Sequence, residues 1–180
     1  MKSIAKFIAA GIFGVALFAA SAPAQTVTID YDHTVNFLKF KTFTWTKLHA
    51  TDPSVEDRIT IAFNRDMAGR YMSESDHGDL LITAVDATHD AQEFGTFYDS
   101  LGSDYSWQRP WASGFMDSQA GLSDIPVNTL IIDMYDGKTH KLLWRGTVTE
   151  ALAGSTDKKD NAIDRAVTDL ISKYPPKYKK

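Results

Sequence analysis

The sequence of 180 residues contains no cysteine. This absence excludes a disulfide framework, a thiolate metal site and a cysteine nucleophile. It also excludes a lipid-anchored form, because a bacterial lipoprotein carries a cysteine at its cleavage point. With no covalent cross-links available, the stability of the protein depends on a hydrophobic core, for which 43% of the residues are suited.

Long apolar runs are scarce, and the one that stands out lies at the N-terminus. Lys2 and Lys6 precede an uncharged apolar stretch, residues 7–20. This stretch has about 14 residues, whereas a helix that spans a membrane needs roughly 20. A short positive segment followed by a short apolar segment is typical of a secretory signal peptide rather than a permanent membrane anchor.

A cleavage site follows this apolar stretch. Ala22 and Ala24 form the A-x-A pattern, in which small side chains fit the shallow pockets of signal peptidase. We expect residues 1–24 to be removed by cleavage between Ala24 and Gln25. The mature protein would then be periplasmic or secreted, with no transmembrane span.

Positive charge is also in short supply. The chain has 19 Lys and Arg against 23 Asp and Glu, and loss of Lys2 and Lys6 with the signal peptide changes the net charge from −4 to −6. An acidic domain of this kind is a poor nucleic-acid binder, because phosphate contacts need a basic patch. The remaining chain, residues 25–180, has the length of a single domain.

Motifs for catalysis are absent. The sequence has no G-x-S-x-G nucleophile elbow and no glycine-rich phosphate loop. Metal ligation by Asp30, Asp32 and His33, or by His89, Asp90 and Glu93, remains an alternative, but neither group has the H-x-x-x-H spacing of a helical metal site. We therefore predict no catalytic residue, no metal and no cofactor, and keep a hydrolase with dispersed Asp, Glu and His residues as an alternative.

Hydrophobic periodicity predicts an α+β fold. Alternating or continuous apolar residues indicate strands, and apolar stripes at spacings of three and four indicate helices. The element order is β-β-α-β-β-β-β-α, which predicts a mixed, mostly antiparallel sheet of about six strands with two helices packed on it. The predicted strands are residues 27–32, 41–46, 79–87, 92–98, 127–135 and 141–151, and the predicted helices are residues 53–77 and 157–174.

The last two predicted strands form a hairpin. Asp136 and Gly137 open a strong turn signal between them. Trp144 lies on the apolar face of the second strand, so Arg145 points to the opposite face. There we expect Arg145 to pair with Asp133 of the facing strand, as a structural contact rather than a functional one.

Residues 99–126 form a segment too long for an ordinary loop, which makes it the best candidate for a binding site. Its aromatic side chains offer faces that stack on sugars, rings or partner side chains, and an arginine adds a planar cation. An alternative is that the aromatic residues cap an open end of the sheet. The candidate ligand- or partner-binding residues are Tyr105, Trp107, Arg109, Trp111 and Phe115.

Two segments of the chain are specific, Thr-Phe-x-Trp at 42–45 and Leu-x-Trp-Arg-Gly at 142–146. The more generic segments around them are residues 27–32, 40–45, 79–82, 129–133, 141–147, 166–167 and 173–176. Together these segments resemble a bacterial envelope family known as domain of unknown function 4136. The resemblance implies a small envelope protein with no assigned activity, similar to α/β domains that assist outer-membrane assembly. Many members look like lipoproteins, from which this cysteine-free chain departs.

These observations favour a non-enzymatic envelope module that binds or assembles with a partner. The partner would be an envelope protein, a glycan or a lipid, contacted through the aromatic segment. Besides the dispersed hydrolase, a structural protein that acts through a sheet edge remains open. Residues 27–32 would supply that edge, because an edge strand offers unpaired N–H and C=O groups.

Overall fold

The structure, a computed structural model, describes residues 25–50, 52–87, 91–101, 128–149 and 156–175. These residues confirm the α+β class, with a six-stranded sheet and three α-helices. The strands are β1 (Thr26–Tyr31), β2 (Thr42–His49), β3 (Ser73–Glu74), β4 (Leu80–Ala87), β5 (Thr129–Asp136) and β6 (Leu142–Thr149), and the helices are α1 (Pro53–Ala68), α2 (Ala91–Asp99) and α3 (Thr156–Ser172). None of the helices in these ranges is long and apolar enough to cross a membrane.

The sheet is mixed and mostly antiparallel, as predicted. Its strand order is β1-β6-β5-β4-β2-β3. The pairs β1–β6, β6–β5 and β5–β4 are antiparallel, whereas β4–β2 and β2–β3 are parallel. The parallel pair β2–β4 is joined through α1, as a crossover connection requires. The first strand therefore lies at one edge of the sheet, beside the last.

Helix α1 begins where the sequence predicts, but it ends at residue 68 rather than 77, and residues 73–74 form β3 instead. The Asp52 carboxylate accepts a hydrogen bond from the Ser54 N–H at 2.8 Å. Pro53 occupies the first turn, where its missing N–H costs nothing. Its apolar stripe includes Ile59 and Phe63, both fully buried. These features explain why a helix forms here and which of its faces packs on the sheet.

The main core lies between one face of the sheet and the helices α1 and α3. The Trp144 indole is fully buried in it. Gly146 lies two residues further along β6, and a Cβ atom there would collide with the Trp144 ring and with Leu170 of α3. The Trp-Arg-Gly segment is therefore explained by packing. Gly146 has no side chain, which leaves the space that the Trp144 ring fills.

The opposite face of the sheet carries α2 and a smaller core. Phe94, Phe97 and Tyr98 of α2 pack against Val85 of β4 and Ile131 of β5. The prediction of a strand at 92–98 is therefore wrong. The three aromatic residues recur at i, i+3 and i+4, which places them on one side of a helix. Their burial against the sheet outweighs the strand preference of aromatic residues.

Candidate functional site

The five aromatic-segment residues predicted as a binding site, Tyr105, Trp107, Arg109, Trp111 and Phe115, lie outside the described residues. Their role stays a prediction. The site that the structure does describe is a pocket elsewhere on the chain, at one end of the sheet.

This end pocket has a volume of about 540 Å³. Three segments far apart in sequence form it: residues 39–40 before β2, residues 76–81 leading into β4, and residues 136–140 in the β5–β6 turn. They meet because β2, β4 and β5 are neighbours in the sheet, with Leu80 paired to both Phe43 and Asp136. The lining residues are Lys39, Phe40, Asp76, His77, Gly78, Asp79, Leu81, Asp136, Gly137, Lys138 and His140.

Two glycines fix the wall of the end pocket. A Cβ atom on Gly78 would collide with the backbone of Phe43, and one on Gly137 would collide with the carbonyl oxygen of Gly78. The Gly137 N–H donates to the Asp79 carbonyl at 2.8 Å. The turn between β5 and β6 is therefore fastened to the start of β4 by backbone contact, which holds the wall in place before any ligand arrives.

The Asp79 carboxylate ties this wall to β2. Its Oδ2 atom accepts the N–H groups of Lys41 at 2.8 Å and Thr42 at 3.2 Å. The Asp79 N–H in turn donates to the Thr42 hydroxyl at 3.0 Å. The Lys41 N–H bond, acting against burial, lowers the pKa of Asp79, because hydrogen bonds to a carboxylate favour its charged form. Asp79 is thus a structural anion.

The Asp136 carboxylate holds the β5–β6 turn in the same way, by accepting backbone N–H groups. Its Oδ1 atom accepts the N–H groups of Lys138 at 3.0 Å and Thr139 at 2.9 Å. Burial alone would raise the pKa of Asp136, but the bonds from Thr139 and Lys138 outweigh it and the pKa is lowered. A second carboxylate of the end pocket is therefore committed to holding the backbone.

The two lysines of the end pocket differ from these aspartates, because their charged groups hold no part of the described chain in place. Within the described residues, neither Lys39 nor Lys138 has an ion pair or a hydrogen bond from its ammonium group. The Lys39 Nζ atom lies 4.7 Å from the centre of the Phe40 ring. The positive charge of Lys39 contributes to lowering the pKa of Asp136, and that of Lys138 to lowering the pKa of Asp79.

A buried polar network lies on the α2 face of the sheet. Arg145 and Asp133 form the predicted cross-strand pair, with Nε to Oδ1 at 2.7 Å and Nη2 to Oδ2 at 2.6 Å. The Tyr98 hydroxyl accepts from Arg145 at 2.6 Å and donates to Asp133 at 2.8 Å. Burial would lower the pKa of Arg145, but the Asp133 carboxylate outweighs it and the pKa is raised. The network fastens α2 to the sheet.

The two metal-ligand alternatives fare differently in the structure. Asp32 binds Lys141 at 2.6 Å and the Thr34 hydroxyl at 2.6 Å, and Asp30 accepts the Tyr31 N–H at 2.8 Å. Across the described ranges, no three His, Asp or Glu residues are grouped so that they could hold a metal ion. His89 and Asp90 lie outside those ranges.

Sequence reasoning missed the end pocket. Asp136 and Gly137 were recognised only as a turn, and Gly78 only as the limit of a helix. No local pattern links residue 39 to residues 79 and 136, because strand register brings them together. A usable signal was the recurrence of Gly next to Asp at both 78–79 and 136–137, each with a His within three residues of the Gly.

Comparison with solved structures gives matches at low sequence identity. A PDZ domain protein from Parabacteroides distasonis matches with 16% identity and a TM-score of 0.51, over 85% of this chain and 37% of that one. The chain thus spans little more than a third of that protein, and at this identity the likeness concerns the fold alone. The PelC dodecamer from Paraburkholderia phytofirmans matches with 12% identity and a TM-score of 0.43, over 82% and 97% of the two chains.

A comparison with the curated proteins gives no match. The family comparison gives a match that covers residues 27–176, from β1 to beyond α3. Except for Thr26, this range contains the described sheet, and it also contains the end pocket and the Arg145–Asp133 pair. The protein therefore belongs to the family described as domain of unknown function (DUF4136).

Proposed function

We propose that this protein is an exported, non-enzymatic binding module of the cell envelope. The observation that carries the proposal is the end pocket, a concave site of about 540 Å³ whose wall is preformed by backbone contacts. Pockets of a few hundred cubic ångströms with a few fixed polar groups are the usual form of small-ligand sites. A wall held in place beforehand reduces the ordering cost of binding.

The state of the pocket carboxylates supports binding over hydrolysis. A general acid at neutral pH needs a carboxyl group whose pKa is raised, as burial without hydrogen bonds would do. The pKa values of Asp79 and Asp136 are lowered instead, and both carboxylates are occupied by backbone N–H groups. These groups serve to shape the pocket rather than to transfer protons.

The proposal of export rests on the sequence of residues 1–24, with its positive start, short apolar stretch and A-x-A site. In the periplasm or outside the cell, the available partners are envelope proteins, glycans and lipids. The aromatic segment, residues 99–126, would contact the larger partner, and the end pocket would take a small polar group. The two surfaces can be tested separately because they involve different residues.

A ligand screen tests the binding proposal. The purified protein would be screened by thermal shift against peptidoglycan fragments, glycans, lipids and metal salts. A ligand at 100 times its Kd stabilises a protein by about 2.7 kcal/mol. For a protein of this size that raises Tm by roughly 5 to 10 °C. Leu81→Trp, which fills the end pocket, should abolish such a shift, and a screen without any shift would count against a small-ligand site.

A second candidate function, assembly through a sheet edge, is favoured by the position of β1. Asp32 donates its N–H to Leu143 of β6, while the Tyr31 N–H is held by the Asp30 side chain. Because alternate residues of an antiparallel strand face the partner, Val27 and Ile29 direct their N–H and C=O groups outward. Strand β1 has no Lys, no Pro and no break in register, the usual protections of an edge.

The edge can be tested with proline. Val27→Pro removes an outward N–H and leaves the β1–β6 hydrogen bonds in place, so the fold should persist. Thr28→Pro removes an inward bond and serves as the contrasting variant. If the protein assembles through β1, light scattering should show a complex for the wild type and its loss in Val27→Pro. A wild-type protein that is monomeric at every concentration would rule out self-assembly at this edge.

A further inference from the structure

The charged groups of the end pocket differ in how many hydrogen bonds they already form within the protein. Of its three carboxylates, Asp79 and Asp136 each accept two backbone N–H groups. Hydrogen bonds of this kind stabilise a carboxylate in place and reduce its need for a further cation. The third carboxylate, that of Asp76, is exposed and accepts no backbone N–H group within the described residues.

The charged groups of the two lysines of the end pocket, by contrast, form no such contacts within the described residues. The ammonium groups of Lys39 and Lys138 have no ion pair and no hydrogen-bond acceptor in the described part of the chain, and each carries three N–H donors. The exposed imidazole of His77 adds another donor on the same wall. The two ammonium groups therefore remain available to a ligand, in a lining that also holds the carboxylates of Asp76, Asp79 and Asp136. A ligand that binds these lysines must supply oxygen acceptors.

The placement of the two lysines defines where those oxygens go. Lys39 belongs to the segment before β2 and Lys138 to the β5–β6 turn, so they approach the end pocket from two different segments. Lys39 and Lys138 both line the end pocket, together with Asp136 and Asp79. A negatively charged group bound in the end pocket would meet one lysine from each of the two segments.

We propose that the end pocket recognises an oxyanion, a carboxylate or phosphate group of a small ligand, held between Lys39 and Lys138. This inference rests on the proposed binding function and adds the chemical class of the ligand. Asp76 would then accept a hydroxyl or ammonium group elsewhere on the same ligand. Lys, as a compact point charge on a flexible stem, suits either oxyanion.

The test is a titration followed by NMR of backbone amides in the 15N-labelled protein. Four probes would be compared: inorganic phosphate, acetate, methylammonium and glucose. The amide signals of Gly78, Gly137 and Lys138 report on the end pocket. Phosphate or acetate should shift them in a saturable manner, and the shift should weaken as ionic strength rises, because salt screens exposed charges. The stronger of the two distinguishes a phosphate ligand from a carboxylate ligand.

Matched variants locate the effect. Lys39→Met and Lys138→Met keep the side-chain length and remove the charge, and each should weaken binding by about fivefold to tenfold, the scale of one charge-assisted hydrogen bond at a partly exposed site. Lys173→Met removes an exposed lysine beyond the end of α3 and should leave the affinity unchanged. Unperturbed spectra of the three variants would show that the fold is intact.

The outcomes separate the ligand class from the binding function. Saturable shifts with methylammonium or glucose but with neither acid would overturn the oxyanion proposal and leave a binding pocket. Equal affinity in Lys39→Met, Lys138→Met and Lys173→Met would also overturn it. Absence of any saturable shift would overturn it as well, whereas the proposed binding function is decided independently by the wider thermal-shift screen and its Leu81→Trp control.

Discussion

Arg145 and Asp133 face each other across β6 and β5 as a doubly hydrogen-bonded ion pair whose side chains are almost fully buried. The pair lies beneath α2, and the Tyr98 hydroxyl completes its hydrogen bonding from above. Taking two charges out of water is costly, so each of them depends on the other. Removing one partner therefore costs more stability than the intact pair contributes.

Breaking this pair should destabilise the protein strongly. Asp133→Leu and Arg145→Met each leave an uncompensated buried group, and the free energy of unfolding should fall by about 3 to 5 kcal/mol. Urea denaturation followed by tryptophan fluorescence measures it. The double variant Asp133→Leu with Arg145→Met removes both charges and should lose less than the sum of the single changes. Additive losses would show that the two groups act independently.

A glycine comparison tests the wall of the end pocket. Gly137→Ala forces a Cβ atom into the Gly78 and Asp79 carbonyl oxygens, so it should destabilise by about 1 to 3 kcal/mol, the range of an overpacked site. Gly69→Ala is the matched control, because its Cβ would lie 3.4 Å from the nearest oxygen, at ordinary contact distance, and φ is −60°. It should be neutral or stabilise by about 0.4 to 1 kcal/mol. Thermal denaturation of both variants compares the two sites, and similar Tm values would contradict the close packing at residue 137.

Acid should weaken the contact between β1 and the β5–β6 turn. Burial acts to raise the pKa of Asp32, but the hydrogen bonds from Lys141 and Thr34 outweigh it and lower the pKa to about 2, below its ordinary value of 3.8. Because the folded pKa is depressed, the stabilisation is complete above about pH 5 and is lost as the pH falls towards 2. The half-exposed Lys141 limits the effect to about 1 kcal/mol.

The variant Asp32→Asn isolates this contribution. Its free energy of unfolding should be lower than that of the wild type at pH 6 and nearly equal to it at pH 2. Urea denaturation at a series of pH values measures the difference. A gap that stays constant across the series would show that titration of Asp32 is not responsible.

Export should leave Gln25 as the first residue of the mature protein. Ala24→Leu places a large side chain where signal peptidase requires a small one, so the precursor should accumulate uncut. Ser21→Leu changes a residue outside the A-x-A pattern and should be processed normally. Intact-mass measurement of protein from the periplasm and from the membrane fraction distinguishes the two. Normal processing of Ala24→Leu would place the cleavage site elsewhere.

The sequence predicted most of the sheet because its strands carry their own periodic signal. Arg145 and Asp133 could be paired in advance since the hairpin turn at Asp136 and Gly137 sets their register. Helix α2 was mistaken for a strand because Phe94, Phe97 and Tyr98 favour strands intrinsically, and only burial against the sheet selects the helix. Local preference is a weak guide where tertiary contacts decide.

The end pocket was beyond prediction for a different reason. Its residues belong to three segments, and their approach depends on which strands are neighbours in the sheet. The order β5-β4-β2 brings Asp136, Asp79 and Lys39 together, although 97 residues separate the first from the last. Strand order is a property of the whole chain, so a site that depends on it has no local signature.

The pairing of β1 with β6 has a consequence for the timing of folding. Thr26 lies opposite Thr149, so the first strand can join the sheet only after the last strand has been synthesised. Contacts this distant in sequence are slow to form, because the intervening chain must be ordered first. Under the proposed export as an extended chain, this delay would be useful. Strand β1 follows the proposed signal peptide directly and has no strand to pair with until nearly all of the chain has emerged, which would leave time for the export machinery to engage it.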